Sequence, residues 1–342
     1  MTEHRETRPS AGRRAGGGAD DASLEESGVE ADEGDGAVTP SAPGPLRRWW
    51  LAVRPATLWA AVAPVAVGTG CAIGLGCSRA LPALAALAGA LSIQIGTNFA
   101  NDLFDHERGA DTEHRIGPAR AVAQGWISTR TMLRATILAF AAAALCGTYL
   151  ALVAGPWVLA IGVASIVSGI AYTGGPYPLG YHGLGDLFVF SFFGVVAVVG
   201  TVFVQCGAAP PIAWWASVPV GALATAILAV NNLRDRHTDA VAGKRTLAVR
   251  WGARAVRTEV VVLVALAYLV AVALAWQARS AVALLPLVSL PRAVVAVAGV
   301  LRRDGAALNR SLGETSRLLL LFSLLFAIAL GLGMVNTIPR PS

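Results

Sequence analysis

Apolar residues beyond position 45 fall into nine long segments separated by shorter polar stretches. Each segment comes close to the length of about 20 residues that a helix needs to cross the hydrocarbon core of a bilayer. Because a segment inside a bilayer must satisfy its own backbone hydrogen bonds, every one is predicted to be a helix. The pattern therefore predicts an all-α, polytopic membrane protein with nine transmembrane helices. The segments cover residues 51–75, 80–103, 129–152, 156–173, 186–207, 211–232, 257–277, 281–301 and 316–337.

The first 45 residues differ from the rest of the chain. They are rich in glycine, alanine and proline, and they hold ten acidic residues against four arginines. Such a composition cannot bury enough apolar surface to offset the entropy cost of ordering, so residues 1–45 are predicted to be a disordered tail. No apolar core followed by a cleavage site is present, which argues against a secretory signal. The transmembrane domain is accordingly predicted to cover residues 46–342.

Composition and charge support the membrane class and predict an orientation. Hydrophobic residues make up 55% of the chain and charged residues 14%, whereas soluble domains carry about 25% charged residues. Basic residues gather in the second, sixth and eighth connections, while the opposite connections carry only Arg79 and Arg279. The positive-inside rule therefore predicts a multi-pass protein of the cell membrane with a cytoplasmic N-terminus and cytoplasmic basic connections. No basic run stands apart from the helix ends, so nucleic acid is not an expected partner.

The four cysteines lie in or beside apolar segments, and none forms a Cys-x-x-Cys pair. They are predicted to be small residues that pack within helices. The cysteines are Cys71, Cys77, Cys146 and Cys206.

Carboxylates outside the tail are concentrated in three of the predicted cytoplasmic connections, which hold eight of the eleven acidic residues beyond position 45. Two clusters begin inside apolar segments, where polar groups are costly and mark functional sites. In a helix, residues four apart share a face, so Asn101 aligns with Asp105 and Asp235 with Asp239. Two such faces, opposed to each other, would repel unless a cation lay between them.

Oxygen ligands without histidine or cysteine partners favour Mg²⁺, which takes one or two carboxylates together with phosphate oxygens. Nearby basic residues would complement a polyanionic ligand, and one of them, Lys244, is the only lysine in the chain. The pattern predicts a Mg²⁺-dependent diphosphate site. The other basic residues of this group are Arg115, Arg120 and Arg245.

Alternatives stay open at this level. Each cluster alone is compatible with a solvated loop that contains ordinary Arg–Asp pairs. A cation-coupled transporter is also compatible with intramembrane carboxylates, although transporters usually carry charges near the bilayer midplane. A CDP-alcohol phosphotransferase needs a continuous Asp-Gly-x-x-Ala-Arg motif, which the chain lacks.

At these residues the chain resembles the UbiA superfamily of intramembrane prenyltransferases, and the likeness runs from Arg54 to the C-terminus. Asp111 follows Asp105 by six residues rather than four, which is similar to the branch that acts on 1,4-dihydroxy-2-naphthoate. The stretches that carry the resemblance are Asn101–Asp105 with Gly109, Asp111 and residues 115–120; residues 172–186; and Asn231–Asp235 through Asp239 to Thr246.

The resemblance implies nine helices around a central cavity open to the lipid bilayer, with Mg²⁺ as the cofactor. It implies transfer of a polyprenyl group from polyprenyl diphosphate to 1,4-dihydroxy-2-naphthoate, with loss of CO₂ to give demethylmenaquinol. Another aromatic acceptor, such as 4-hydroxybenzoate or homogentisate, stays open. The implied metal ligands are Asn101, Asp102, Asp105, Asp111, Asp235 and Asp239; the implied catalytic residues are Asp105, Asp235, Asp186 and Tyr172; and the implied substrate-binding residues are Arg54, Arg115, Arg120, Lys244, Tyr177, Asn98 and Asn231.

Overall fold

The computed structural model of the chain describes residues 43–109 and 116–334. This part of the chain consists of helices and connecting turns and contains no strand, which confirms the predicted all-α class. Residues 1–42 of the predicted tail lie outside the described residues. The principal helices, labelled in chain order, are α1 (Pro45–Val53), α2 (Pro55–Gly74), α3 (Ala80–Glu107), α4 (Thr129–Ala154), α5 (Trp157–Ala171), α6 (Gly185–Cys206), α7 (Pro211–Val241), α8 (Leu247–Ala278), α9 (Ala281–Arg302) and α10 (Gly305–Gly333).

Eight helices in the described part of the chain, α2 to α4 and α6 to α10, are long and apolar enough to cross a membrane. The ninth apolar helix, α5, has 15 residues, which give about 22 Å at 1.5 Å per residue, less than the hydrocarbon core of about 30 Å. Pro156 precedes its first residue, and the turn around Gly174 and Gly175 follows its last. The predicted multi-pass fold is confirmed, with the fourth segment forming a helix shorter than a full span.

The prediction of one helix over residues 51–75 was wrong, because the helix is interrupted at Arg54. The backbone of Arg54 adopts the left-handed conformation with φ 56°, and the ring of the following Pro55 disfavours the right-handed helical conformation at the preceding residue. The break turns α1 back toward α3. There Ala52 is buried, and Trp49 packs edge-on against Phe99 with ring centroids 5.7 Å apart.

Several helices extend beyond their apolar segments into polar sequence. The second segment continues to Glu107, and the sixth continues to Val241. Hydropathy marks only the part of a helix that sits in apolar surroundings, whereas backbone hydrogen bonding continues until a turn or cap ends it. The Asn101/Asp105 pair and the Asp235/Asp239 pair therefore both lie on helical backbone, as the four-residue spacing predicted.

Glycines allow the closest helix contacts of the bundle. A Cβ atom at Gly70 of α2 would lie 2.3 Å from the carbonyl oxygen of Ala327 in α10. Another contact lies in a π-helical turn of α6, where a Cβ at Gly194 would lie 2.7 Å from Cα of Gly221 in α7. Small residues at such contacts let backbones approach in membrane bundles, where packing rather than the hydrophobic effect drives association.

A disulfide joins Cys77, just after α2, to Cys206, the last residue of α6, with Cα atoms 5.0 Å apart. The prediction that all four cysteines are simple packing residues was therefore wrong for this pair. The two cysteines are 129 residues apart in sequence, and they meet only because both helices end on the same side of the bundle. Cys71 and Cys146 are free, as predicted.

Candidate active site

The carboxylate of Asp105 lies among cationic and polar groups near the end of α3. Asp105 is 1% exposed, and it forms an ion pair with the buried guanidinium of Arg120. The ammonium Nζ of Lys244 lies 3.6 Å from Asp105 Oδ1, and the Tyr181 hydroxyl donates to the same oxygen over 3.5 Å. A charge at this depth is tolerated only when it is paired. The structure thus brings together three predicted site residues: Asp105, Arg120 and Lys244.

The neighbouring carboxylate, Asp102, makes a different set of contacts. Its Oδ2 accepts the backbone N–H of Ala121 over 2.9 Å, and its Oδ1 accepts that of Val122 over 3.2 Å. Asp102 therefore holds the connection between α3 and α4, because both of its carboxylate oxygens accept backbone N–H groups of that connection. Its assignment as a metal ligand stays a prediction.

Two asparagines of α3 also bind protein groups. Asn98 donates to the carbonyl oxygen of Val53 over 2.8 Å and to the Thr57 hydroxyl over 2.9 Å, across the break between α1 and α2. Asn101 Oδ1 accepts a hydrogen bond from the Thr173 hydroxyl over 2.7 Å. The amide of Asn98 thereby fixes the backbone beside Arg54, and the metal and substrate roles of both asparagines stay predictions.

In the second motif, Arg234 organises the polar groups around Asp235. Its Nε and Nη2 donate to the two carboxylate oxygens of Asp235 over 2.7 and 2.5 Å. The same guanidinium donates to Asn231 Oδ1 over 2.8 Å and to Asn309 Oδ1 of α10 over 2.9 Å. Arg234 is 2% exposed, so this planar fork is a buried link between α7 and α10.

Lys244 connects the two motifs. Its Nζ lies 3.6 Å from Asp105 Oδ1 on α3 and 3.7 Å from Asp239 Oδ1 on α7. Because both distances are measured from one ammonium nitrogen, carboxylates of α3 and α7 lie close together at this point. The structure thus brings carboxylates of the two aspartate motifs together at Lys244, and their role toward a metal stays a prediction.

Two tyrosine hydroxyls lie near the carboxylates and stay protonated at neutral pH. Burial, together with the charges of Asp186, Asp239 and Asp105, raises the pKa of Tyr172 above its ordinary value. Burial and the charge of Asp105 raise the pKa of Tyr181 to about 12. Both groups are consequently hydrogen-bond donors toward anionic partners.

Asp186 lies in the first turn of α6, beside Tyr172. A Cβ atom at the preceding Gly185 would lie 3.0 Å from the Tyr172 hydroxyl, so this hydroxyl sits against the start of α6. Asp186 Oδ1 is buried, and within the described ranges no group donates a hydrogen bond to it. An acceptor of this kind is suited to take or hold a proton.

The remaining predicted residues are more distant or lie outside the described chain. Tyr177 is 57% exposed, and its ring stacks on His182 with centroids 3.5 Å apart. Arg54 occupies the break between α1 and α2. Asp111 and Arg115 lie outside the described residues. Their predicted roles therefore stay predictions.

The residues present fit a magnesium ion that arrives with a diphosphate. Within residues 43–109 and 116–334, no group of three Asp, Glu, His or Cys side chains is placed to hold a metal by itself. Carboxylate oxygens of Asp105 and Asp239 nevertheless lie near one cation, the ammonium of Lys244. These two residues would offer a metal ion only oxygen ligands. Mg²⁺ usually takes one or two carboxylates and completes its shell with water and phosphate oxygens.

The sequence analysis missed four residues of this site. Tyr181 and Thr173 belong to the glycine- and proline-rich connection between α5 and α6. Their hydroxyls, in a connection that the sequence analysis had linked to the site, could have marked them as candidates. Arg234 directly precedes Asp235, which also pointed to it. Asn309 of α10 carries no local signal, because only the tertiary fold brings it to Arg234.

The described helices thus form a membrane-type bundle that holds buried carboxylates paired with cations at one end. The chain belongs to the UbiA prenyltransferase family, whose model matches residues 57–324. It is similar to several curated relatives named 1,4-dihydroxy-2-naphthoate octaprenyltransferase. The relative from Mycobacterium tuberculosis is 40% identical over 295 residues, which cover 84% of this chain and 98% of that protein. Family membership confirms the resemblance and favours an enzyme over a transporter.

Solved structures share the fold at low sequence identity. A UbiA homolog from Aeropyrum pernix K1 superposes with a TM-score of 0.63 at 13% identity, covering 78% of this chain and 94% of that one. A UbiA homolog from Archaeoglobus fulgidus bound to GPP and Mg²⁺ superposes with a TM-score of 0.56 at 16% identity, covering 81% of this chain and 98% of that one. The helical architecture is thus that of membrane proteins of this family.

Proposed function

We propose that the chain transfers a polyprenyl group from polyprenyl diphosphate to 1,4-dihydroxy-2-naphthoate, with loss of CO₂, to give demethylmenaquinol. The observation that carries the proposal is the single ammonium of Lys244 between Asp105 and Asp239. Carboxylates from two helices and a cation at one point form a site for a metal-bound diphosphate. The names of the curated relatives support the acceptor, and the GPP- and Mg²⁺-bound homolog supports the donor class.

The chain's own residues would bind and stabilise the diphosphate. We assign Asp105, Asp235 and Asp239 to the metal-bound diphosphate, together with Asn101 and the undescribed Asp111. Arg120 and Lys244, which already pair with these carboxylates, turn toward the phosphate oxygens as negative charge develops on the leaving group. Magnesium, when bound, supplies charge neutralisation for that leaving group.

The transfer step needs no reactant besides the donor and the acceptor. The C–O bond between the allylic carbon and the diphosphate breaks, and its electron pair leaves with the diphosphate. The ring carbon of naphthoate that bears the carboxylate forms the new C–C bond. Loss of CO₂ then returns the electron pair of the broken C–C bond to the ring and restores its aromatic system. Apolar helices around the site keep water from the allylic cation.

Asp186 and Tyr172 are assigned to the acceptor. The buried Oδ1 of Asp186 takes the proton of a ring hydroxyl while the ring attacks and returns it to that oxygen once CO₂ has left, so that the product keeps both hydroxyls. The protonated Tyr172 donates a hydrogen bond beside it. Arg54, which the break between α1 and α2 places next to the Asn98 contacts, is assigned to the acceptor carboxylate. In this proposal the aspartate motifs bind the donor, and residues near the starts of α2 and α6 bind the acceptor.

The topology is part of the proposal. Residues 46–342 form the catalytic domain, and residues 1–45 form a tail on the cytoplasmic side of the cell membrane. The arginine distribution supports a cytoplasmic aspartate end. The Cys77–Cys206 disulfide at the opposite end supports it independently, because disulfides persist in oxidising compartments outside the cytoplasm.

An acceptor panel tests the proposed function. The purified chain in lipid nanodiscs is given labelled polyprenyl diphosphate and Mg²⁺ with 1,4-dihydroxy-2-naphthoate, 4-hydroxybenzoate or homogentisate. Label is expected in the naphthoate product, and carboxyl-labelled naphthoate is expected to release one labelled CO₂ for each product formed. Preferred labelling of another ring, or a prenylated product that keeps its carboxylate, would overturn the proposal.

A further inference from the structure

Tyr181 lies outside the two aspartate motifs but contacts residues that belong to the site. It lies in a short 3-10 helix, Leu179–His182, in the connection between α5 and α6. Its hydroxyl donates to Asp105 of α3. The face of its ring lies against Lys244, with Nζ 5.0 Å from the ring centroid. One side chain therefore contacts the first motif and the cation that bridges to the second motif.

The backbone holds Tyr181 next to the segment that carries Lys244. The N–H of Arg245, the residue after Lys244, donates to the carbonyl oxygen of Tyr181 over 2.8 Å. A second link comes from Arg250, whose Nη2 donates to the carbonyl oxygen of His182 over 2.8 Å. These two hydrogen bonds hold the Tyr181 segment next to the Lys244 segment without using the side chains of Tyr181 and Lys244.

Gly183 makes this close approach possible. Its backbone adopts φ 74°, in the left-handed region that favours glycine. A Cβ atom at this position would lie 2.7 Å from the carbonyl oxygen of Arg245. The 3-10 helix can therefore lie directly on the connection between α7 and α8 only because residue 183 has no side chain.

Lys244 needs such support because its side chain is a flexible four-carbon stem that ends in a compact charge. Two carboxylates at 3.6 and 3.7 Å attract the ammonium but leave its direction free. An aromatic face within about 6 Å of a cation adds an attraction with a defined direction. Arg108 lies over the same ring at 5.2 Å from the centroid and also donates to the carbonyl oxygen of Gly175.

We propose that Tyr181 is a positioning residue that holds the Lys244 ammonium between the two aspartate motifs, ready for the diphosphate of the donor. The proposal rests on the proposed function, since it assigns Lys244 to that diphosphate. Tyr181 acts through Lys244. Loss of the ring should weaken donor binding and transfer, while a ring without the hydroxyl should keep most of both.

The first experiment compares Tyr181→Phe with Tyr181→Leu in nanodiscs, with geranylgeranyl diphosphate as donor probe and 1,4-dihydroxy-2-naphthoate as acceptor. Tyr181→Leu is expected to raise KM for the donor about tenfold, with KM for naphthoate unchanged. Tyr181→Phe is expected to stay within about threefold of the unmodified chain. Tyr149→Leu on α4, the same chemical change away from the motifs, is the matched control and should leave both constants unchanged.

A double-variant cycle tests whether the tyrosine acts through the lysine. Lys244→Gln is measured alone and together with Tyr181→Leu. If the ring only positions Lys244, the double variant has the same donor KM as Lys244→Gln, because the two effects are not additive within one network. Effects that multiply, or a Tyr181→Leu variant equal to the unmodified chain, would overturn the proposal.

A shape-preserving series covers the case in which Tyr181→Leu does not fold. Phenylalanine and its mono-, di- and trifluorinated analogues are incorporated at position 181, which withdraws electron density from the ring face with little change in size. Donor KM is expected to rise stepwise along the series. A flat series in protein that binds donor normally would overturn the proposal. Absence of naphthoate prenylation by the unmodified chain would instead contradict the proposed function.

Discussion

The two ends of the helical bundle are held together by different kinds of interaction. At the aspartate end, helices and connections meet through the ion pairs of Asp105 with Arg120 and of Lys244 with Asp105 and Asp239. Arg234 of α7, which pairs with the adjacent Asp235, also donates to Asn309 of α10. At the opposite end, the Cys77–Cys206 disulfide joins α2 to α6. The aspartate end thus depends on charges that a ligand can replace, whereas the opposite end is fixed covalently.

Hydrogen bonds at the disulfide end show the same difference between the two ends. Gln205, beside Cys206, is 2% exposed, donates to the Thr69 hydroxyl over 3.2 Å, and accepts the backbone N–H of Arg79 over 3.3 Å. The groups that take part in these hydrogen bonds are neutral. One end of the bundle is thus cross-linked, whereas the other holds the cations and anions that the proposed metal-bound diphosphate would engage.

The largest expected effect on activity comes from Asp105→Asn. It removes the carboxylate that pairs with Arg120 and Lys244, so both the cation arrangement and the diphosphate site are lost. We expect kcat/KM for prenyl transfer to fall roughly a thousandfold. Glu107→Gln, the same chemical change at an exposed position two residues away, is the control and should stay within about twofold. Equal losses in the two variants would contradict the assignment.

The next effect is expected from Arg234→Lys. Lysine keeps the positive charge but cannot form the bidentate contact to Asp235 and reach Asn231 and Asn309 at once. We expect kcat/KM to fall about tenfold to a hundredfold. The control is Arg236→Lys, at a neighbouring arginine whose Nε pairs with the ring of His237. An Arg234→Lys variant with full activity would show that the fork geometry does not matter for the site.

Asp102→Asn separates a loop-holding role from a metal-ligand role. The amide retains one oxygen acceptor for Ala121 or Val122 but loses the other and the charge. We expect about a tenfold loss of kcat/KM, faster proteolysis in residues 116–128, and an unchanged Mg²⁺ concentration for half-maximal rate. A large shift in the Mg²⁺ requirement with unchanged proteolysis would instead make Asp102 a metal ligand.

The smallest effect on activity is expected at the disulfide end. Cys77→Ser with Cys206→Ser removes a cross-link between residues 129 apart in sequence, and such cross-links usually contribute about 2–4 kcal/mol to stability. We expect kcat within about twofold of the unmodified chain but a lower Tm. Cys146→Ser, at a free cysteine, is the control. A strong loss of kcat without a change in Tm would show that the two ends are coupled.

Much of the fold could be predicted because it depends on local sequence. Apolar segment length indicates helices, and the four-residue spacing of Asp235 and Asp239 indicates one helix face. The break at Arg54 was missed because a hydropathy window does not detect a left-handed residue before proline. The disulfide was missed because it joins residues that become neighbours only in the folded bundle.

The candidate site shows the same division. Lys244 drew attention as the only lysine, and its distances of 3.6 and 3.7 Å to the two aspartates agree with a site role. The different surroundings of Asp102 and Asp105 could not be predicted, since they depend on where the α3–α4 connection packs. Tyr181 was missed for a related reason: its ring matters because the α7–α8 connection lies against it.

The central claim is that facing aspartates from α3 and α7 bind a diphosphate with Mg²⁺ and transfer its prenyl group. The most direct test is prenylation of 1,4-dihydroxy-2-naphthoate by the purified chain after exhaustive chelation, followed by stepwise addition of Mg²⁺. The account predicts no product in chelator and full recovery with Mg²⁺. Product formed at an undiminished rate in chelator would contradict it.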